Sequence, residues 1–297
     1  SITSGGNYNV TVGDEAGTAI TTGDNNSVLG FEALKTNATT SNNTAIGYQS
    51  LLVNVADLNT AVGSLSLIAN TSGSLNVAVG AFALNANTTA SSNTAVGYAS
   101  LEENTTGANN VAIGFKSLEA NTTGAGHTAV GGEALLTNTT SAYNTAVGWR
   151  SLKLNTTGAD NVAVGTFALQ ANTTAAQNTA VGAYTLATNT TGASNVAVGK
   201  SALAANTTAA NNTAVGYNSL VANTTGDKNV AMGANALDAN TTGRLNTAIG
   251  QDSMSTNTTA DNNTAVGQGS LQLNTTGASN TAVGRRALIE NTTGSSN

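Results

Sequence analysis

Residues 93–126 read NTAVGYASLEENTTGAN followed by NVAIGFKSLEANTTGAG, two consecutive segments that share one 17-residue pattern. The pattern is N-[T/V]-A-[V/I]-G-x-x-[A/S]-L-x-x-N-T-T-[G/A]-x-x, and we number its places from position 1 to position 17. It occurs seventeen times, beginning at residues 9, 26, 43, 59 and 76 and then at every seventeenth residue up to 280. Because tandem self-similarity is the signature of repeat architectures, residues 1–297 are predicted to form a single repetitive array.

Each repeat carries the parts of one solenoid coil. In the third copy, the alternation of Thr44, Ala45 and Ile46 before Gly47 predicts a short strand that ends in a bend. Leu51 then returns a second apolar side chain to the core, and the NTT at positions 12–14 of most copies predicts a closing turn. The predicted fold is all-β, a parallel β-solenoid or β-roll of seventeen coils. At about 4.8 Å between stacked strands, it would be a rod roughly 80 Å long.

The apolar positions suggest how the coils pack. We expect Val or Ile at position 4, Leu at position 9 and some Ala to fill the core. The Ala at position 3, such as Ala45, allows two interpretations. A small residue on the second face of the strand leaves room for another chain to approach, or it simply fits a tight interior.

Charge and length changes mark the outside of the coil. The 9 basic and 15 acidic residues never occupy positions 1–5, 8, 9 or 12–14, which indicates that these positions stack on neighbouring coils. One repeat is a residue short after Asn54, which predicts a loop there because paired strands do not tolerate length changes. The segment between strand and turn, for example residues 31–35 (FEALK), suits a helical turn as well as a strand.

The composition argues against several classes of protein. Only 8% of residues are charged, whereas about 25% is typical of globular domains. The absence of cysteine excludes disulfides and thiolate metal sites. A net charge of −6 offers no basic face for nucleic acid. No apolar run reaches the roughly 18 residues of a membrane span. We therefore predict no cofactor, no nucleic-acid partner and no membrane span.

The strand motifs of residues 26–30 (NSVLG), 43–47 (NTAIG), 110–114 (NVAIG) and 195–199 (NVAVG) are similar to a known repeat. They resemble the head repeats of trimeric autotransporter adhesins, the family of the Yersinia adhesin, which read close to N-S-V-A-I-G-x-x-[A/S]. The L-x-x-N-T-T segment is not typical of that family, so the resemblance covers about half of each repeat. It implies a parallel β-roll, association of three chains and binding to matrix or host surfaces. The repeats are also similar to those of phage tail fibres.

Position 12 begins the N-glycosylation pattern N-x-[S/T] in fifteen repeats. In the predicted turn, a glycan could project without disturbing the core. The alternative is structural, because Asn tolerates left-handed turns and Thr suits a β-edge. Additional patterns lie at Asn9 and, across the repeat junctions, at Asn25, Asn42, Asn211 and Asn262. The candidate sites at position 12 are Asn37, Asn70, Asn87, Asn104, Asn121, Asn138, Asn155, Asn172, Asn189, Asn206, Asn223, Asn240, Asn257, Asn274 and Asn291.

No pattern of residues indicates catalysis or metal binding. The acidic residues are irregularly placed, so they do not form the recurring Asp of a calcium-binding β-roll. His127 stands at a position otherwise held by Asn and is interpreted as a variant of that row. Glu102 and Glu103 are adjacent and fit a solvated turn better than a catalytic pair. We predict no catalytic, cofactor-binding or metal-binding residue.

Two surface features suggest binding. Adjacent threonines such as Thr122 and Thr123 suggest the hypothesis of ice binding, which requires paired threonine ranks on one flat face. Neighbours in a strand point to opposite faces, however, so only one rank per face can form. Aromatic residues gather at positions 6 and 7, which favours a partly exposed edge, with a sugar-binding or chain-packing strip as the alternative. These residues are Phe31, Tyr48, Phe82, Tyr98, Phe115, Trp149, Phe167, Tyr184 and Tyr217.

Together these features predict a non-enzymatic structural protein. We expect an extracellular or cell-surface filament, adhesin shaft or virion fibre that self-associates, as a homotrimer or polymer, through its small-residue faces. Glycans on the NTT turns and a host-surface receptor are the further partners that these features suggest. The alternative is a ligand-binding solenoid, either a glycan or host-surface adhesin, a phage tail fibre or, with less support, an ice-binding protein.

Overall fold

The computed structural model describes residues 7–297. Within that range, every strand is three residues long and no helix is present. The chain divides into two compact units, one that ends at Ala146 and one that runs from Val147 to Asn297. In each unit the strands pair in chain order and in parallel, one strand from each coil. The prediction of an all-β parallel β-solenoid is confirmed.

The strands occupy positions 2–4 of the repeat, where the β-branched residues Thr, Val and Ile are concentrated. In chain order they are β1 Val10–Val12, β2 Ser27–Leu29, β3 Thr44–Ile46, β4 Thr60–Val62, β5 Val77–Val79, β6 Thr94–Val96, β7 Val111–Ile113, β8 Thr128–Val130, β9 Thr145–Val147, β10 Val162–Val164, β11 Thr179–Val181, β12 Val196–Val198, β13 Thr213–Val215, β14 Val230–Met232, β15 Thr247–Ile249, β16 Thr264–Val266 and β17 Thr281–Val283. The strand predicted from the alternation at these positions is therefore confirmed.

Equivalent positions of successive coils lie directly beside each other. Ala163 pairs with Ala180 between β10 and β11, and the same register holds along each unit. The short repeat keeps this register, because Thr44 of β3 still pairs with Thr60 of β4. The missing residue is therefore absorbed by the turn after Asn54, as the sequence predicted.

The interior of each coil is lined by small residues and one leucine. Ala at position 3 is fully buried, as in Ala163, and so is Leu at position 9, as in Leu169. Position 8 adds a buried Ala or Ser, such as Ala168. The strand therefore contributes the methyl group of its alanine to the interior, and the turn contributes the leucine at position 9. Position 9 is thus confirmed as core.

The expectation that position 4 belongs to the core is wrong. Ile46 shares the outward side of β3 with Thr44, while Ala45 alone points inward and is completely buried. Because side chains alternate across a strand, only one of the two sides can face the interior. The inward side is occupied by the methyl group of alanine alone. Ala at position 3 thus fits a tight interior and is not a surface for another chain.

The predicted bend at position 5 requires glycine for two reasons. Gly165 has a φ of 134°, a conformation that L-residues rarely adopt. A Cβ atom there would also lie 2.5 Å from the carbonyl oxygen of Gly182 in the next coil. Glycine at this position therefore permits both the turn and the close approach of successive coils.

Positions 6–11 are neither helix nor strand but a series of tight turns. Asn172 N–H donates to the Leu169 carbonyl at 3.1 Å, while Leu169 N–H donates to Thr185 of the next coil at 3.0 Å. Phe167, Leu169 and Gln177, at positions 7, 9 and 17, have φ values of 59°, 51° and 60°. Each coil thus holds three left-handed residues that are usually not glycine, each at a cost of about 1 kcal/mol or more.

We expect Gly267→Ala to destabilise the surrounding coils by about 3 kcal/mol or more, because it combines an unfavourable φ with overlap against Gly284. Hydrogen exchange across residues 263–284 measures the loss. The matched control is Gly269→Asn in the same coil, where Asn218 and Asn235 occupy the equivalent place in other coils. Equal protection in the two variants would contradict the argument.

Candidate functional site

The residues at positions 2 and 4 form one outward surface, which we call the outer sheet face. In β12, Val196 and Val198 are 38% and 36% exposed, whereas Ala197 between them is completely buried. The same alternation recurs in the other strands. Two parallel columns of side chains therefore run across the coils of each unit.

The outer sheet face is uncharged, with an apolar column at position 4 and a column of mainly Thr and Val at position 2. Position 2 is Thr, Val or Ser, and position 4 is Val, Ile, Leu or Met. In the second unit, the column at position 4 consists of Val147, Val164, Val181, Val198, Val215, Met232, Ile249, Val266 and Val283. The sequence contained the signal for this face, since positions 2 and 4 never carry charge, but the assignment of position 4 to the core concealed it.

A first row of asparagines, at position 1, ties successive coils together. Asn212 N–H donates to Oδ1 of Asn195 at 2.9 Å, and Nδ2 of Asn195 donates to the Ala209 carbonyl at 2.9 Å. Both residues are buried. The Asn195 amide therefore joins the start of its coil to its closing turn and to the next coil, whereas Asn212 keeps the bond to the next coil through Oδ1 and its Nδ2 is buried without a partner.

A second row of asparagines, at position 12, contains the candidate glycosylation sites. Nδ2 of Asn206 donates to Oδ1 of Asn189 at 2.8 Å and to the Ala209 carbonyl at 3.0 Å. Oδ1 of Asn206 accepts from Nδ2 of Asn223 at 3.0 Å. The amide is completely buried, and both of its N–H groups and its oxygen are hydrogen-bonded.

This geometry opposes glycosylation at position 12. A glycan replaces one hydrogen on Nδ2, and in the folded coil Nδ2 has no access to solvent. The structural interpretation of the NTT turn is the one that the burial supports. Asn291 is half-buried. The fully buried candidates are Asn37, Asn70, Asn87, Asn104, Asn121, Asn138, Asn155, Asn172, Asn189, Asn206, Asn223, Asn240, Asn257 and Asn274.

The junction asparagines at position 17 differ in their exposure. Asn25, Asn42, Asn211 and Asn262 all lie on exposed turns. Each is followed by the buried Asn of position 1 and then by a Ser or Thr of the outer sheet face. These four positions can carry a modification without disrupting either asparagine row.

The threonines of the turn present one exposed rank. Thr207, at position 13, is half-buried, and its Oγ1 donates to the Thr224 carbonyl of the next coil at 3.2 Å. Thr208, at position 14, is exposed. The turn therefore lacks the paired threonine ranks on which the ice-binding hypothesis depends.

Aromatic side chains at positions 6 and 7 of successive coils contact one another, some stacked and some edge to face. Trp149 and Phe167 have ring centroids 4.8 Å apart, Phe167 and Tyr184 are 5.2 Å apart, and the Arg150 guanidinium lies 4.3 Å from the Trp149 centroid. Similar contacts in the first unit join Phe31 to Tyr48, and Tyr98 to Phe82 and Phe115. Rings that contact each other, face to face or edge to face, offer less open surface for stacking on a sugar, which favours the plain edge.

The titratable residues that the sequence singled out differ in their surroundings. Burial raises the pKa of Glu102, with Glu119 contributing further, but neighbouring Glu103 is exposed. His127 is buried in the first asparagine row. No pocket is found within residues 7–297, and no three His, Asp or Glu side chains of that range are placed to hold a metal ion.

Comparison with protein-family models and with curated proteins gives no match for this chain. In the part of the chain that the structure describes, no helix could cross a membrane. The outer sheet face and the exposed turns are therefore the features from which a function can be inferred.

We expect Asn206→Ala to destabilise its coil by about 2–4 kcal/mol, because it removes the partner of the buried Asn189 Oδ1 and of one buried N–H of Asn223. Thr208→Ala, which removes the same N-x-T pattern at an exposed side chain, should change stability by less than about 0.5 kcal/mol. Hydrogen exchange of protein made in a host that does not glycosylate measures both. Equal losses would contradict a structural role for the asparagine.

In protein made in a glycosylating secretory host, we expect glycans only at the exposed junction residues Asn25, Asn42, Asn211 and Asn262. Peptide mapping by mass spectrometry measures the occupancy of each site. Asn211→Gln should remove its glycan without loss of stability. Glycans on fully buried position-12 asparagines in soluble, folded protein would refute this assignment.

Proposed function

We propose that this chain is a non-enzymatic structural protein, an extracellular or cell-surface filament or adhesin shaft whose copies associate side by side through the outer sheet face. The observation that carries the proposal is the pair of uncharged columns at positions 2 and 4. The sequence suggested a contact surface of small residues, but the alanines lie inside the coil, so we assign the contact surface to the outer sheet face instead.

The chemistry of the outer sheet face suits association with a second copy. A continuous exposed apolar surface is unfavourable in water and marks interaction sites in soluble proteins. The absence of charge at positions 2 and 4 removes the repulsion that identical columns would otherwise meet. Identical copies can therefore place valine and isoleucine columns against each other.

The size of the face is adequate for a stable interface. Two outward residues from each of the eight strands β10–β17 give about sixteen residues in the second unit alone, approaching the roughly 20–30 per partner of standard interfaces. The first unit adds a similar set from β1–β8. Contacts that are individually small thus sum along the repeats, as in a structural assembly.

A binding role for glycans or host surfaces is the second candidate, supported by the resemblance to adhesin head repeats and by the exposed aromatic edge. Trp149 and Tyr184 are 46% and 47% exposed, but their ring faces are partly covered by Arg150 and Phe167. Sugar recognition favours open ring faces and a concave site with placed polar groups. The outer sheet face therefore supports the structural role more strongly.

Analytical ultracentrifugation at micromolar concentration tests the proposal. We expect a mass that is a multiple of 29.2 kDa, whether trimeric or polymeric. The double variant Val181→Lys with Val198→Lys should dissociate the assembly, because it places like charges in the interface while leaving the alanine–leucine interior intact.

The matched control is Thr191→Lys with Thr208→Lys, which adds the same charge to exposed turns of the same coils. This variant should keep the mass of the wild type, and circular dichroism should show that both variants are folded. A monomeric wild-type protein at these concentrations would refute association. Specific retention of that monomer on a glycan array would support the second candidate instead.

A further inference from the structure

In one coil, the first asparagine row contains a histidine in place of asparagine. The other sixteen coils have Asn at position 1, but His127 begins the eighth coil and is only 1% exposed. Gly124 in the preceding coil makes room for the ring, since a Cβ atom there would lie 2.8 Å from Nε2. The imidazole is therefore held inside the solenoid at a place built for an amide.

The ring reproduces both hydrogen bonds of the asparagine that it replaces. Nδ1 accepts from the backbone N–H of Asn144 at 3.2 Å, and Nε2 lies 2.7 Å from the Ser141 carbonyl. A backbone N–H can only donate and a carbonyl can only accept. The neutral ring with its proton on Nε2 is therefore the form that completes the row.

A protonated ring cannot occupy this place in the same way. Imidazolium has no acceptor, so an N–H on Nδ1 would face the N–H of Asn144. The groups that face Nε2, the Asn138 side-chain amide and the Ser141 backbone carbonyl, are uncharged, and the Asn138 amide nitrogen lies 3.1 Å from Nε2. No carboxylate is positioned to balance a buried positive charge there.

The charged groups of the seventh and eighth coils lie elsewhere. Lys116 and Glu119 pair with each other at positions 7 and 10, and Glu133 occupies position 7 of the eighth coil. All three side chains reach solvent, as does the phenol of Tyr143, which is 68% exposed. The buried ring is thus isolated from the titratable groups of these coils.

We propose that His127 makes the eighth coil an acid-sensitive point in the solenoid, at which mild acid opens the hydrogen bonds to Asn144 and Ser141 while the asparagine coils stay closed. The device depends on a single substitution in the row. It would allow a local opening of the protein at a pH that leaves the rest of the fold unaffected.

The direction of the effect follows from linkage. Burial lowers the pKa of His127 below its ordinary value of 6.5, so the closed coil holds a neutral ring. The opened coil takes up a proton near the ordinary value. The stability of the coil is therefore complete above about pH 7.5 and falls as the pH drops from 6.5 toward the lowered pKa of the closed state.

Hydrogen exchange of peptides spanning residues 127–146, corrected for the chemical exchange rate, tests this proposal at pH 7.5 and pH 5.0. In the wild type, opening should increase by up to about thirtyfold at pH 5.0, because that pH lies 1.5 units below the ordinary pKa of 6.5. His127→Asn restores the asparagine that the other coils have at position 1 and should remove the pH dependence of exchange.

Asn195→His provides the reciprocal variant, because Asn195 also follows a coil with glycine at position 15, Gly192. It should transfer acid sensitivity to residues 195–212, a segment whose exchange in the wild type should not depend on pH. Identical pH responses of wild type and His127→Asn would overturn the proposal. So would protection of residues 127–146 that stays unchanged down to pH 5.0.

Discussion

Most interior groups of a coil meet the same kind of group in the next coil, at the spacing of about 4.8 Å between paired strands. Each interior position must therefore be occupied by a residue that is compatible with a copy of itself. An asparagine amide meets this condition, since it both donates and accepts, as Asn206 does between Asn189 and Asn223. Alanine and leucine satisfy this condition by packing against their equivalents. Glycine satisfies it because, without a Cβ atom, it lets the backbone of the next coil approach closely.

The same constraint places the charges. Like charges stacked at one coil spacing would repel each other, and none of the interior positions carries one. Outside, where water screens them, like charges can occupy the same position of successive coils, as Glu15 and Glu32 do, and a lysine can bridge them. Lys35, for example, lies between Glu15 in the coil before it and Glu32 in its own coil. The surface of the coil can therefore vary while its interior remains uniform.

The sequence predicted the parts of the fold that depend on backbone chemistry, namely the strand, the bend at glycine and the turn that absorbs the deletion after Asn54. It did not predict which side of the strand faces inward. Val and Ile are more apolar than Ala and so suggested the core, but the structure buries Ala163 completely and leaves Val162 and Val164 on the outer sheet face. The burial of Asn206 was missed for a related reason, since asparagine in a turn is usually exposed.

The left-handed residues of the turns have a consequence for how the protein forms. Phe167, Leu169 and Gln177 hold conformations that an isolated chain seldom visits, and the bonds that hold Leu169 come partly from the next coil. Formation of the first coil therefore costs free energy, whereas each later coil gains contacts with a coil that is already folded. Folding of such an array is a nucleation process, with a slow start and rapid growth from whichever coil forms first.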